Sequence, residues 1–115
     1  MLTIRQEQLD ALAASLSRRA NVALAGYARR RFPVELGAAP EDELVALADR
    51  VRATAMSYGL ELENDIATFL DLTVMYGDDF HRSRWAAKVL ADKAVHGPDK
   101  MESLRRKVRL TGVNI

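Results

Sequence analysis

An uninterrupted run of 27 residues, Arg5 to Arg31, contains no proline and no pair of glycines, and it constrains the fold more than any other segment. Apolar side chains recur in this run at spacings of three or four residues, the periodicity of one face of an α-helix. The recurring positions are Leu9, Leu12, Leu16, Ala20, Ala23 and Tyr27. The pattern predicts one long amphipathic helix, which ends at Phe32-Pro33 because the residue before a proline is pushed out of helical backbone.

Four more helices are indicated by prolines, glycines and acidic residues at the places where helices begin and end. Pro40 opens the second helix, and Gly59 supplies the left-handed residue that closes it. Gly77 ends the third, and Gly97-Pro98 separates the fourth from the fifth. The predicted helices span residues 4–31, 41–58, 62–76, 83–95 and 98–110. Segment 32–40 is predicted to be a loop that contacts the core through its apolar members Phe32, Val34 and Leu36.

Length and composition favour a single compact domain over residues 1–115. The chain has 115 residues and is 49% hydrophobic, enough for one continuous core. No β-hairpin signal is present, so the expected fold class is all-α, a compact bundle of about five helices. No apolar run approaches the roughly 18 residues of a membrane span, and no signal peptide follows Met1, which favours a cytoplasmic location. The absence of cysteine excludes disulfides and thiolate chemistry.

The net charge of +1 conceals a strong segregation of charge along the chain. Residues 1–34 carry six bases and two acids, residues 35–79 two bases and eleven acids, and residues 80–115 nine bases and three acids. Two interpretations are open. The acidic middle packs beside the basic ends and neutralises them, or the chain presents faces of opposite sign to a charged partner. The first is favoured, because charge runs are usually solvated faces.

No motif predicts catalysis, a metal site or a cofactor. The two histidines, His81 and His96, do not lie at the spacing of a zinc motif, and the six glycines are too scattered for a phosphate-binding loop. Asp78, Asp79 and His81 form the one cluster that could bind a divalent metal or share a proton. Their position after a helix-ending glycine favours turn hydrogen bonds or helix capping.

The basic residues of the first and last predicted helices form the candidate partner-binding surface. Nucleic acid is a possible partner, since phosphate binding is largely electrostatic, but no aromatic residues are interleaved with the bases to stack on a single strand. A protein partner is therefore favoured. The candidate site residues are Arg18, Arg19, Arg29, Arg30, Arg105, Arg106 and Arg109. Trp85, Tyr58, Tyr76 and Phe80 are possible interface anchors, although core packing is the favoured interpretation.

Short motifs spread over nearly the whole chain suggest a family. They are Ile4-Arg5-Gln6-Glu7-Gln8-Leu9, Arg31-Phe32-Pro33, Ala55-x-x-Tyr58-Gly59-Leu60, Glu63-x-Asp65, Leu70-x-Leu72, Tyr76-Gly77-x-Asp79-Phe80 and Asp99-Lys100-Met101. With these motifs the chain resembles small helical proteins encoded beside effectors and spike or tip proteins in bacterial type VI secretion gene clusters. The resemblance implies a binding role and assigns no catalytic residue.

Two binding roles follow from this resemblance. An accessory or adaptor protein would hold a secreted effector or help to mount it on the secretion spike, whereas an immunity protein would occlude a toxin in the cell that produces it. Immunity proteins often carry a strong charge opposite to that of their toxin, so the near-neutral net charge favours the adaptor. The expected function is that of a non-catalytic protein-binding module without a cofactor.

Overall fold

The computed structural model describes the backbone of residues 5–111 and the side chains of residues 5–108. Over residues 5–111 the protein is all-α, with six α-helices, one short 3-10 helix at Phe80–Arg82 and no strand. The α-helices are α1 (Gln6–Arg31), α2 (Pro33–Leu36), α3 (Glu41–Ser57), α4 (Glu63–Tyr76), α5 (Arg84–Ala91) and α6 (Gly97–Thr111). The predicted start of the first helix at residue 4 lies outside the described residues.

Two of the predicted segments differ from the structure. The predicted loop 32–40 contains the single helical turn α2, because Pro33 lies at its first position, where its fixed φ suits a helix and no N–H is needed. Phe32 is buried as expected, but Val34 is 91% exposed, so the prediction that it contacts the core is wrong. The fourth helix ends at Ala91 rather than near residue 95, because Asp92 adopts extended backbone and its carboxylate accepts the Ala94 N–H at 3.0 Å.

Glycine closes α3 in the way that the sequence predicts. Gly59 has φ +83°, a left-handed conformation that side chains other than glycine adopt only with strain. This conformation lets the Leu60 N–H reach back to the carbonyl oxygen of Ala55 at 3.1 Å, and the Gly59 N–H to that of Met56 at 3.0 Å. Carbonyl groups at the end of α3 are thereby satisfied.

The described chain divides into two compact units, one that ends at Asp49 and one that begins at Arg50, within α3. The single-domain organisation expected from the chain length stays a prediction. In the first unit the Asn21 side chain donates to Asp49 Oδ1 at 3.1 Å, which ties α1 to α3. The buried apolar residues of this unit are Leu24, Ala25, Ala28, Phe32, Leu44 and Ala48.

The second unit packs around α4, the most apolar of its helices. Its buried apolar residues include Val51, Ala55, Leu60, Ile66, Phe69, Leu70, Leu72, Phe80, Ala86, Leu90, Met101 and Leu104. Aromatic rings pack on one another, with centroids 4.8 Å apart for Phe69–Phe80, 5.9 Å for Phe80–Trp85 and 5.5 Å for Tyr76–Trp85. Tyr58 contacts Phe69 at 6.3 Å. Of the aromatic residues considered as interface anchors, Phe80 is buried in the core as predicted, whereas Tyr58, Tyr76 and Trp85 contact other rings but are only half-buried.

Within residues 5–111, no helix combines the length and apolar character that crossing a membrane requires.

Candidate protein-binding surface

The first half of α1 is exposed on all sides. Every residue from Gln6 to Arg19 is exposed, and burial in this helix begins only in its second half. The buried residues are Asn21, Leu24, Ala25 and Ala28. More than three turns of helix thus contain no buried residue.

Three exposed leucines form an apolar line along this first half. Leu9, Leu12 and Leu16 are 44%, 57% and 54% exposed, and we call them the α1 leucine face. An apolar stripe on a helix ordinarily packs against a core. The leucine stripe of α1 does not pack in this way. Burial in α1 begins at Asn21, five residues after Leu16, and the two side chains therefore lie about 140° apart around the helix axis. The side of α1 that is buried is therefore not the side that carries the leucines.

Arginine continues the leucine line at both ends. Arg5 precedes Leu9 by four residues and Arg19 follows Leu16 by three, so the whole line has the alternating four-three spacing of a coiled-coil seam. The acid Glu7 lies two residues before Leu9, about 160° round the helix, and so falls on the other side. The α1 leucine face is consequently apolar in the middle and positively charged at its two ends.

Two adjacent arginines of the predicted site have different surroundings. Arg18 follows Leu16 by two residues, about 160° round the helix, and it lines a groove of about 460 Å³ in the first unit together with Asp42 and Asp49. Arg19 is exposed and lies on the leucine line. Arg18 thus shares a groove with two acids of its own unit, whereas Arg19 lies on the exposed leucine line.

The other predicted site residues are spread over both units. In the first unit, Arg29 donates to the carbonyl oxygen of Ala39 at 2.8 Å, and Arg30 is exposed. In the second, Arg105 donates to the Thr68 hydroxyl at 2.7 Å and lies 3.9 Å from the carboxylate of Glu102, so it links α6 to α4. Arg106 is exposed. Arg109 belongs to α6, but its side chain is not among those described. A common partner surface of these arginines stays a prediction.

The cluster of Asp78, Asp79 and His81 is divided among separate contacts. Asp78 lies 3.7 Å from Arg50 and Asp79 3.8 Å from Arg82, while His81 Nδ1 shares a hydrogen bond of 2.9 Å with the Tyr58 hydroxyl. No three carboxylate or imidazole groups in the described part of the chain are placed to hold a metal ion. Asp79 precedes the 3-10 helix but makes no side-chain capping bond, so the predicted capping role is not seen there.

Burial lowers the pKa of His81 below its ordinary value of 6.5, and the nearby Arg82 lowers it further. The carboxylates of Asp79 and Asp78 and a backbone hydrogen bond at Asp78 oppose this shift. The lowered pKa favours the neutral ring in the folded protein relative to a free histidine.

The spacing of the leucines predicts one helical face, but the predicted partner surface contains only arginines. A signal was available, since the leucine spacing continues at Arg5 and Arg19, and arginine does not suit a buried seam. Comparison of the chain with known protein families, with curated proteins and with solved structures gives no match.

Proposed function

We propose that this protein is a binding module whose α1 leucine face docks into an apolar groove of a partner protein, with partner carboxylates opposite Arg5 and Arg19. The exposure of the three leucines is the observation that carries the proposal. The mode is that of an amphipathic helix in a groove, in which apolar anchors supply affinity and charges at the edge supply specificity. No residue is assigned a catalytic, metal-binding or cofactor-binding role.

Burial of the exposed leucine area would supply part of the free energy of a specific complex. Full burial of a leucine side chain contributes about 1.5–3 kcal/mol, and about half of each of these side chains is still exposed. Covering the α1 leucine face would therefore contribute roughly 2–5 kcal/mol. The arginines at its ends would add modest energy and would raise the association rate with an acidic partner.

The resemblance to proteins encoded with type VI secretion effectors supports a specific form of this proposal. The chain would act as an accessory or adaptor protein for a secreted effector or a spike component. The alternative is an immunity protein that occludes a toxin. The two roles are separated by measuring toxin activity in the purified complex, because an adaptor leaves the toxin active and an immunity protein inhibits it.

The experiment compares capture by the wild-type protein with capture by variants matched in position and exposure. Leu12→Gln alters the α1 leucine face, and Val22→Gln alters another exposed apolar residue of α1, which is 43% exposed and off the leucine line. Arg19→Gln and Arg18→Gln form the corresponding pair for charge. Proteins captured from the source cells are identified by mass spectrometry, and the complex is then reconstituted and its Kd measured.

The expected result is loss of one partner with Leu12→Gln and retention with Val22→Gln. Given its 57% exposure, loss of Leu12 burial should weaken the complex by about 0.9–1.7 kcal/mol, roughly 4- to 18-fold in Kd. Arg19→Gln should weaken it by roughly 1.5- to 5-fold at low salt, and Arg18→Gln should have a smaller effect. Equal capture by all four variants, or recovery of nucleic acid in place of protein, contradicts the proposal.

A second copy of the chain is the competing occupant, and sedimentation of the purified protein tests it. If the wild type and the Leu12→Gln variant both sediment as monomers, the occupant of the α1 leucine face is a protein other than a second copy of this chain. A dimer that Leu12→Gln converts to a monomer would assign the α1 leucine face to self-association and overturn the proposal.

A further inference from the structure

A cavity of about 470 Å³ opens in the second unit where the ends of α3 and α5 meet the start of α6. Three of its lining side chains are basic, namely Lys93, His96 and Lys100, and Leu90 and Val95 contribute apolar wall. None of its lining residues, all of which the structure describes, carries a carboxylate. The cavity is thus positive in character with an apolar side.

Lys100 places a buried charge at this cavity. It is only 4% exposed, and its Nζ donates to the carbonyl oxygens of Tyr58 and Leu90, each at 2.8 Å. Both acceptors are neutral, and an ammonium has three hydrogens to donate. Among the side chains of residues 5–108, no carboxylate lies within ion-pairing distance of Nζ. Buried lysines are normally paired with an acid, so an anion in the cavity would supply the missing countercharge.

The start of α6 adds to the positive character of the cavity. His96 precedes the helix, and its carbonyl oxygen accepts the Lys100 N–H at 3.0 Å. The preceding N–H groups, those of Gly97 and Asp99, have no acceptor within the helix, and Pro98 has no N–H. The positive end of the helix dipole, partly offset by Asp99 in the first turn, thus lies beside the buried ammonium. The helix end and Lys100 are independent features that favour the same sign of ligand charge.

We propose that this cavity binds a small organic carboxylate with a short aliphatic tail. The carboxylate would lie near Lys100, with Lys93 and His96 at the mouth, and the tail would contact Leu90 and Val95. The volume lies within the range of about 300–1,000 Å³ that is typical of small-molecule sites. The inference concerns only the second unit and does not depend on the proposed function, which concerns α1.

The test is an NMR titration of the full chain with hexanoate, followed through the backbone amides of Gly59 and Gly97, which both line the cavity. Hexan-1-ol, which has a similar tail but no charge, is the control ligand. Because Lys100 also holds backbone groups in place, the test variant is Lys93→Gln at the exposed mouth. Its matched control is Lys88→Gln, an exposed lysine of α5 outside the cavity.

We expect hexanoate to shift both glycine amide signals saturably and hexan-1-ol to bind at least tenfold more weakly. The Lys93→Gln variant should bind hexanoate roughly 1.5- to 5-fold more weakly than the wild type. Lys88→Gln should bind as the wild type does. The proposal is overturned by the absence of saturable shifts, by equal binding of hexan-1-ol, or by equal affinity in both lysine variants. Binding of inorganic phosphate at these residues without binding of hexanoate would also overturn it.

Discussion

Replacement of Lys100 by methionine tests how the start of α6 is held in the second unit. The Nζ group donates two hydrogen bonds of 2.8 Å, to the carbonyl oxygens of Tyr58 at the end of α3 and of Leu90 in the last turn of α5. Methionine keeps most of the apolar stem but removes the donor. The two carbonyl oxygens are then left without this partner at a site that is only 4% exposed.

The expected loss follows from these two bonds. A hydrogen bond to a charged group contributes about 1.5–3 kcal/mol, which would amount to about 3–6 kcal/mol for the pair. The loss is smaller than this because the variant no longer dehydrates an ammonium and because water in the adjoining cavity can reach the carbonyls. We therefore expect the free energy of unfolding of the second unit to fall by about 2–4 kcal/mol.

Urea denaturation followed by Trp85 fluorescence measures this change. Trp85 is the only tryptophan, and it packs against Tyr76 and Phe80 in the second unit, so its signal reports on that unit. With an m value of about 2 kcal/mol/M, the urea midpoint should fall by roughly 1–2 M. Lys88→Met, at an exposed position of α5, should change stability by less than about 0.5 kcal/mol. A Lys100→Met protein as stable as the wild type would refute the reasoning.

Three further predictions concern stability. Gly97→Ala should destabilise the protein by about 1–2 kcal/mol, since a Cβ there would lie 2.9 Å from the carbonyl oxygen of Gly59. Gly26→Ala within α1 should instead stabilise the protein by about 0.5–1 kcal/mol, because only the mobile end of the Arg30 side chain is near. Thermal unfolding of both variants checks that the two changes in stability have opposite signs. Phe69→Ala should lower the free energy of unfolding by about 3–5 kcal/mol, because Phe69 is 1% exposed and its ring contacts several other rings. A loss below about 1 kcal/mol in urea denaturation would contradict this packing. Because the folded pKa of His81 is lowered, the unfolded state binds its proton more readily, so the contribution of His81 to stability is present above pH 6.5 and is lost as the pH falls through the folded value. The wild type should therefore lose more stability between pH 7 and pH 5.5 than His81→Gln does. An NMR titration midpoint of His81 at or above 6.5 would contradict this prediction.

The arginines of the first helix show why a charge count alone does not define a binding surface. Arg18 and Arg19 are neighbours in sequence and both are exposed, yet Arg18 lines a groove with Asp42 and Asp49, and Arg19 lies on the line of the α1 leucine face. In the second unit, Arg105 is engaged with Thr68, whereas Arg106 is exposed. Arg106→Glu is therefore a cleaner test of a basic partner surface on α6 than a change at Arg105.

The positions of the helices were determined by the sequence itself, because the signals that begin and end a helix are local. Pro33 and Gly59 each act through their own backbone conformation, which needs no distant partner. Predicted and observed boundaries of α3 and α4 agree to within one residue. The predicted end of the fourth helix near residue 95 was wrong because the Asp92 carboxylate accepts the Ala94 N–H, and α5 ends at Ala91.

Only the tertiary structure decided which faces are buried and which charges are compensated. Periodicity showed that Leu9, Leu12 and Leu16 share a face, but whether a face is covered depends on residues far away in the chain, and here burial of α1 occurs on another side. Lys100 is the clearest case, since one of its acceptors, Tyr58, is 42 residues away. Local sequence marks where a helix begins and ends, whereas burial of a face or a charge depends on long-range packing. That packing left the α1 leucine face exposed and brought together the residues of the basic cavity.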